Sequence, residues 1–326
     1  MNLLVTGAAG FIGSAYVRML LAPGAARDAG VSRVTVLDSL TYAGSLDNLD
    51  LSDPRLVFVR GDICDAHLVD RLMEQADQVV HFAAESHVDR SIASAGAFVR
   101  TNVTGTQTLL DAALRHSVER FVHVSTDEVY GSVDSGSRTE RDPLDANSPY
   151  AASKAASDLL ALSYHRTHGL DVRVTRCSNN YGPRQFPEKI IPLFLTSLLD
   201  GGNVPLYGDG LNRRDWLHVE DHCAAVELVR AGGAAGRVYN ISGGTELSNR
   251  ELTGRLLAAC GADWARVLRV ADRKGHDRRY SIDCTRIRTE LGYRPRRDFA
   301  SGLAETVAWY RDNRDWWEPL KRRQAG

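Results

Sequence analysis

A short apolar run at residues 3–6 breaks into Thr6-Gly7-Ala8-Ala9-Gly10-Phe11-Ile12-Gly13 and passes directly into a helical pattern over 11–21. A strand that turns on glycine into a helix belongs to a layered α/β architecture. The alternation continues along the chain. Runs at 33–37, 56–60, 78–82, 120–125 and 172–176 read as buried strands, and 66–75, 97–116 and 149–168 read as helices between them. Strands joined by helical crossovers predict a Rossmann-type, doubly wound parallel sheet with right-handed connections. Ligands of such sheets bind at the C-terminal ends of the strands. The glycine turn, Asp38, Asp62, 83–86, 126–128 and 177–180 all fall there.

At 326 residues the chain exceeds one ordinary core. After about residue 178 Pro and Gly become frequent, as in Tyr181-Gly182-Pro183 and Tyr207-Gly208-Asp209-Gly210, and the alternation turns irregular. The reading is a first domain over 1–178 and a smaller C-terminal substrate-binding lobe over 179–326. The chain is expected to cross back into the sheet within 216–242, around 216–220 and 238–241. A formal net charge of −1 gives no basis for binding nucleic acid or an anionic membrane. No apolar run approaches the ~20 residues that span a bilayer, and a signal peptide's basic flank and cleavage site are missing. Five scattered cysteines without a CxxC point to reduced thiols and a cytoplasmic location. His87, His123, His218 and His276 lack metal-ligand spacing, so no metal is expected.

The glycines are spaced GxxGxxG. Gly7 permits a tight turn, Gly10 lets backbone approach a pyrophosphate, and Gly13 lets the helix pack closely with its N-terminus facing the phosphates. Asp38 ends the second strand, where an acid binds a ribose 2′-hydroxyl and repels a 2′-phosphate. NAD is therefore expected over NADP. Asp62-Ile63, after the third strand, is an expected adenine contact.

Tyr150-Ala-Ala-Ser-Lys154 sets a tyrosine and a lysine one turn apart on one helix face. Elsewhere that is a surface pair. Downstream of a nucleotide-binding half, the lysine and the cofactor charge can lower the tyrosine pKa toward neutrality. The phenolate can then take the proton of an alcohol undergoing oxidation. Upstream, Ser125-Thr126-Asp127-Glu128-Val129-Tyr130-Gly131 places two adjacent carboxyls at a strand end. The plain alternative is a solvated acidic turn. Neighbouring carboxyls can be driven to different pKa values, giving an acid and a base. The residues alone leave open which is which.

These stretches resemble the extended branch of the short-chain dehydrogenase/reductase superfamily, whose signatures are TGAAGFIG and YAASK. The likeness narrows to the dTDP-glucose 4,6-dehydratase family. It does so through His81–Ser91 (HFAAESHVDRS), the 125–131 run, Ser178-Asn179-Asn180-Tyr181-Gly182-Pro183-Arg184, Arg214-Asp215-Trp216 and Gly275-His276-Asp277-Arg278-Arg279-Tyr280. It extends from residue 1 to about 317. The resemblance implies an NAD-dependent lyase of deoxysugar biosynthesis acting on dTDP-glucose. C4 is oxidised by tightly bound NAD, C5 loses a proton, and the C6 hydroxyl leaves as water. Hydride then returns to C6, giving dTDP-4-keto-6-deoxyglucose and regenerating NAD.

By the same resemblance Glu128 is the C5 base, Asp127 the acid at C6, and Thr126 holds the reacting hydroxyl region beside Tyr150 and Lys154. The implied cofactor contacts are Gly7, Gly10, Phe11, Ile12, Gly13, Asp38, Ser39, Leu40, Thr41, Asp62, Ile63, Phe82, Ala83, Ala84, Glu85, Thr101, Tyr150, Lys154 and Asn180. Ser86 and Asn179 fall near the sugar, and Arg214 and Asn249 at the diphosphate. Lys189, Ile190, Pro205, Leu206, Tyr207, Asp272, His276 and Tyr280 frame the nucleotide. Two phosphates call for cations, and Arg213, Arg214, Arg278 and Arg279 compete for that place. An apolar residue is expected before the functional arginine, so Arg213 leaves open which side chain points inward. The resemblance also implies a homodimer paired through helices 97–116 and 149–168, which are long enough for a four-helix contact.

A nucleotide-sugar 4-epimerase needs no acid at C6, so the Asp127-Glu128 pair disfavours it. A non-catalytic NAD-sensing regulator would lack the tyrosine or the lysine. A dehydratase acting on another nucleotide stays open, since nothing in the residues separates thymine from uracil. Trp309, Trp316 and Trp317 read as packing of a terminal helix rather than as a sugar platform.

Overall fold

The computed structural model describes residues 1–23 and 29–325. Among these residues the strands are β1 (Asn2–Thr6), β2 (Arg33–Asp38), β3 (Leu56–Arg60), β4 (Gln78–His81), β5 (Arg120–Thr126), β6 (Val172–Cys177), β7 (Asn179–Tyr181), β8 (Val204–Tyr207), β9 (Arg213–His218), β10 (Val238–Ile241), β11 (Glu246–Ser248) and β12 (Val267–Val270). Seven of them form one sheet in the order β10-β6-β5-β4-β1-β2-β3, and every pairing in it is parallel. The order reverses at β1, which opens a crevice at the C-terminal edge of the sheet.

Strands buried on both faces read as continuous apolar runs, and β4 and β6 are buried at every residue. Along β1 the side chains alternate between two cores. Leu3 and Val5 pack with Tyr16, Val17, Val226 and Val229 of helices Phe11–Leu21 and Val219–Gly232. Leu4 packs with Leu109, Leu110, Ala161 and Leu162 of helices Thr106–Arg115 and Pro149–His168. Each side chain buried in this way contributes about 1.5–3 kcal/mol. The polar intruder His81 is satisfied from both sides, by Thr6 at 2.7 Å and Thr106 at 3.0 Å.

Two expectations need correcting. The single helix expected over 97–116 contains a π-helical stretch, Val99–Gly105, before its regular part. The wider turn carries Asn102 inward, as such bulges do near functional sites. Asn102 accepts from Glu85 N at 2.8 Å, and donates to Glu85 O at 3.0 Å and to Ser153 Oγ at 2.8 Å. Residues 216–220 do not rejoin the large sheet. β7 turns away from it directly after β6, and β9 pairs with β7 and β11 instead. Asp215 holds that junction, accepting from Ser178 Oγ at 2.7 Å and Gly243 N at 2.9 Å. Val238–Ile241 does return, as β10 beside β6.

The remaining C-terminal elements gather around a third core. Phe194 and Leu195 of helix Ile190–Leu199 meet Leu252 and Leu256 of Asn249–Cys260 and Leu303 of Phe299–Asp312. Trp317 is fully buried there, its indole donating to Tyr310 O at 2.7 Å, and Trp309 packs edge-on against Trp316. These tryptophans pack the lobe. Among the described residues no helix is long and apolar enough to cross a membrane.

Candidate active site

One cavity of about 580 Å³ runs from the glycine turn, across the C-terminal ends of β1, β2, β4 and β5, into the C-terminal lobe. Every candidate named from the sequence for the catalytic, cofactor and substrate sets lines it, except Leu40 and Asp272. Leu40 packs into the adjoining core, and its N–H donates to Asp38 Oδ1 at 2.8 Å. Asp272 accepts from His276 Nδ1 at 2.6 Å, so it orients a lining residue from behind.

The glycine turn is a cradle for a dinucleotide. Gly7 has φ +72°, and a Cβ there would stand 2.5 Å from Ala83 N; a Cβ on Gly13 would stand 2.6 Å from Gly7 O. Helix Phe11–Leu21 starts on Gly10 without a side-chain cap, so its first-turn N–H groups face the groove. Asp38 is held at the end of β2 by Ala9 N at 2.9 Å and by Leu40 N. Burial raises its pKa, while those two N–H bonds oppose the rise.

Helix Pro149–His168 is sharply defined. Ser148 caps it by accepting from Ala151 N at 3.1 Å, Pro149 opens it, and Gly169 at φ 77° ends it. Tyr150 therefore sits in the first turn, with Lys154 one turn deeper. Lys154 Nζ donates to Val124 O at 2.8 Å, and burial lowers its pKa to about 8. The expected lowering of the Tyr150 pKa is absent from the protein alone. Burial raises it well above the ordinary value, Glu128 adds to the rise, and only a hydrogen bond to Thr126 opposes it.

The acid pair rides on a short 3-10 turn, Asp127–Tyr130, that Thr126 caps by accepting from Glu128 N at 3.3 Å. Gly131 at φ 68° closes it against the Asp145 carbonyl, leaving no room for a side chain. The turn is anchored below by Tyr130, which donates to Asn240 Oδ1 at 2.9 Å and accepts from Arg176 at 2.8 Å. Asp127 is 3% exposed, and its Oδ2 has no hydrogen-bond partner among the described residues. The two carboxyls differ electrostatically. Burial and then Glu128 push the Asp127 pKa well up, with Arg214 opposing. Burial also raises Glu128, but Arg214, Lys189 and Arg273 all pull it down. Both carboxyls are pushed up, but the cations that oppose the rise gather at Glu128, so Asp127 is the one biased more strongly toward the neutral acid.

The arginines sort themselves. Arg214 lines the cavity, its guanidinium 4.2 Å over the Tyr280 ring and bonded to Asp277 O at 3.0 Å. Arg213 points the other way, to Glu246 at 2.6 Å, which Arg279 also holds at 2.8 Å. Arg278 pairs with Asp209 near solvent. Arg273, between the nucleotide-framing candidates Asp272 and His276, also reaches the cavity, and its Nε lies 2.7 Å from Asp89 Oδ1. Unforeseen is a clasp between the lobes. Tyr42, after β2, donates to Glu188 Oε1 at 2.8 Å, and the Arg90 guanidinium lies 3.7 Å over the Tyr42 ring. Lys189, next to Glu188, donates to Ser86 O at 2.7 Å. The Tyr42–Glu188 and Lys189–Ser86 bonds join loops over a hundred residues apart and leave no local signal in a sequence.

A family model described as GDP-mannose 4,6 dehydratase matches residues 4–306. A dTDP-glucose 4,6-dehydratase of Streptomyces antibioticus is 71% identical over 326 residues, covering 100% of this chain and 97% of the relative. One from Streptomyces griseus is 67% identical, covering 98% of this chain and 97% of its own. The crystal structure of DesIV, the dTDP-glucose 4,6-dehydratase of Streptomyces venezuelae, solved with NAD bound, superposes with a TM-score of 0.97. It is 66% identical and covers 98% of this chain and 100% of its own. The glycine cradle, the Tyr-Lys pair, the acid turn and these likenesses agree: the chain belongs to the dTDP-glucose 4,6-dehydratase family.

Proposed function

We propose that the chain is an NAD-dependent lyase that converts dTDP-glucose to dTDP-4-keto-6-deoxyglucose. The observation that carries this reading is the adjacent Asp127 and Glu128, with cations gathered at Glu128, within one cavity that also holds Tyr150 and Lys154. Its relatives at 62–71% identity bear the same name, dTDP-glucose 4,6-dehydratase.

NAD in the glycine cradle supplies the hydride acceptor for C4 and the donor for C6 within one cycle. Gly7, Gly10 and Gly13 admit its pyrophosphate, Asp38 holds its ribose, and Asp62 and Ile63 border its adenine. Tyr150, with Lys154 beside it, takes the C4 hydroxyl proton, and Thr126 positions that part of the sugar. The resulting ketone acidifies the C5 proton, which the Glu128 carboxylate removes. The neutral Asp127 carboxyl protonates the departing C6 hydroxyl, which leaves as water. Glu128 then returns its proton to C5. Over the cycle Tyr150 gains the C4 hydroxyl proton and Asp127 loses one to the departing water, so proton exchange with solvent resets both before the next turnover. Arg214 and Asn249 hold the diphosphate, and Lys189, Tyr207, His276 and Tyr280 surround the nucleotide.

Two structural readings accompany this function. Residues 1–178, joined by 219–241, make the cofactor domain, and the rest of 179–326 the sugar-nucleotide lobe. A homodimer through the helices at 97–116 and 149–168 is supported by Ile92, Val99 and Leu159, which are 38%, 53% and 54% exposed on neighbouring segments. The working location we assign is the cytoplasm, where the scattered thiols stay reduced.

The test is incubation with dTDP-glucose and, separately, UDP-glucose, with no NAD added, followed by detection of the keto sugar. Product from the first alone supports the reading and a retained cofactor. Product from neither, with NAD then supplied, sinks it.

A further inference from the structure

Behind the pocket wall lies a charged cluster that the chemistry above leaves unused. Asp158 follows Lys154 by one helical turn, on the same helix face, and is fully buried. Its Oδ2 accepts from Arg176 Nε at 2.8 Å, and its Oδ1 lies 3.2 Å from His123 Nε2. Arg176 in turn donates to the Tyr130 hydroxyl, at the foot of the acid turn. The cluster thus reaches from the lysine to the base of Asp127 and Glu128.

Lys154 is 4% exposed and makes its hydrogen bond to a neutral carbonyl, that of Val124. A buried ammonium needs an anion nearby or it sheds its proton. The titratable groups around it are His81 from β4, His123 from β5, Arg176 and Cys177 from β6, Asp127 and Glu128 from the acid turn, and Tyr150 and Asp158 from its own helix. The segment 99–115 packed on the same helix presents the neutral Asn102. Burial holds both histidines neutral and pushes the Cys177 thiol up to about 12. Burial likewise raises Asp127, Glu128 and Tyr150. Asp158 behaves oppositely: although burial disfavours its charge, Arg176 and His123 bring it down to about 2. It is the carboxylate in this group that stays ionised across the whole working range.

We propose that Asp158 is a positioning residue of the active site, the fixed buried counter-charge that keeps the Lys154 ammonium charged and in place beside Tyr150. In an interior of low effective dielectric this attraction acts beyond contact distance. Without the carboxylate, Lys154 and Arg176 are two buried cations. Arginine does not give up its proton in proteins, so the lysine does. The inference rests on Tyr150 and Lys154 being the proton-transfer pair, but its test reads the lysine directly.

The chain has four lysines, Lys154, Lys189, Lys274 and Lys321. Lysine-selective isotope labelling of the full-length protein therefore gives four ε-methylene signals, with Lys154→Arg assigning the relevant one. In Asp158→Asn the Lys154 titration should fall by about one pH unit or more. The alkaline limb of kcat/KM should move with it, and Asp158→Glu should restore both. If Asp158→Asn does not fold, Asp158→Asn/Arg176→Met is compared with Arg176→Met alone, which leaves no unpaired arginine. An unmoved titration and limb in the folded variant, with lowered thermal stability, would make Asp158 merely the structural partner of Arg176 and overturn the proposal. A displaced titration in a protein that makes no keto sugar would uphold it and remove the functional reading instead.

Discussion

Replacing Asp127 by asparagine should separate the two halves of the reaction. The side chain is buried, and Oδ2 lacks a partner among the described residues. Asparagine has the same shape and, like the carboxyl that burial and Glu128 hold protonated, carries no charge. Folding stability should therefore change by no more than about 1 kcal/mol. The loss falls on chemistry, because an amide has no proton to deliver to a departing hydroxyl. A positioned general acid contributes about 10²–10⁴-fold. At ~1.36 kcal/mol per decade, that is about 2.7–5.5 kcal/mol of barrier. C4 oxidation, which we assign to Tyr150 and Lys154, should continue. On mixing with dTDP-glucose, reduced-cofactor absorbance should rise and persist, while the 4-keto-6-deoxy product, followed by NMR, falls by the stated factor. Product at the wild-type rate would remove Asp127 as the acid. Failure to accumulate reduced cofactor would place Asp127 in the oxidation step instead.

Three further outcomes are expected. Arg214→Met should raise KM for the sugar nucleotide about 10–150-fold, the worth of a charge-assisted bond of about 1.5–3 kcal/mol, while Arg213→Ala leaves KM within about threefold, because Arg279 still holds Glu246; equal effects would reverse the assignment. Tyr42→Phe deletes the bond to the Glu188 carboxyl and costs the clasp about 1–2 kcal/mol, so NAD should leave the holoenzyme about 5–30 times faster, and an unchanged release rate would deny the clasp any role. Burial depresses His123 to about 4 and His222 to about 3, against about 6.5 in an unfolded chain. The unfolded chain binds those protons first, so stability is complete above about pH 6.5 and falls as pH drops toward the folded values, at ~1.4 kcal/mol per unit for each histidine; His222→Gln should flatten that acid slope by one proton, which denaturation between about pH 6 and 4 can show.

The cofactor half and the acid turn were legible because their signals are local. Gly7, Gly10 and Gly13, Tyr150 and Lys154, and Asp127 and Glu128 are each set by neighbours within one strand end or helical turn. What escaped is set by distant partners. Asn102 became visible only through its clamp on Glu85 and Ser153, and the clasp only through the meeting of Tyr42 with Glu188. Residues 216–218 have the burial of a core strand, and their destination depends on β7, a three-residue strand with no pattern of its own. Without the cofactor's charge, burial and Glu128 keep the Tyr150 pKa high, a balance that neighbouring residues in the sequence do not display. The choice between Arg213 and Arg214 turned on Glu246, thirty-odd residues downstream, which claims the first and leaves the second to the cavity.

The tie between Tyr42 and Glu188 joins the first domain to the lobe at the dinucleotide groove. A redox partner that ends each turnover as it began is, for the catalyst, a resident and not a visitor. A slow door then imposes no penalty on throughput, unlike in a dehydrogenase that must exchange its cofactor every cycle. Loading becomes an event of biogenesis, completed when the two halves first close around the dinucleotide. Ageing becomes the same event in reverse, so that loss of the dinucleotide and parting of the halves should share one clock.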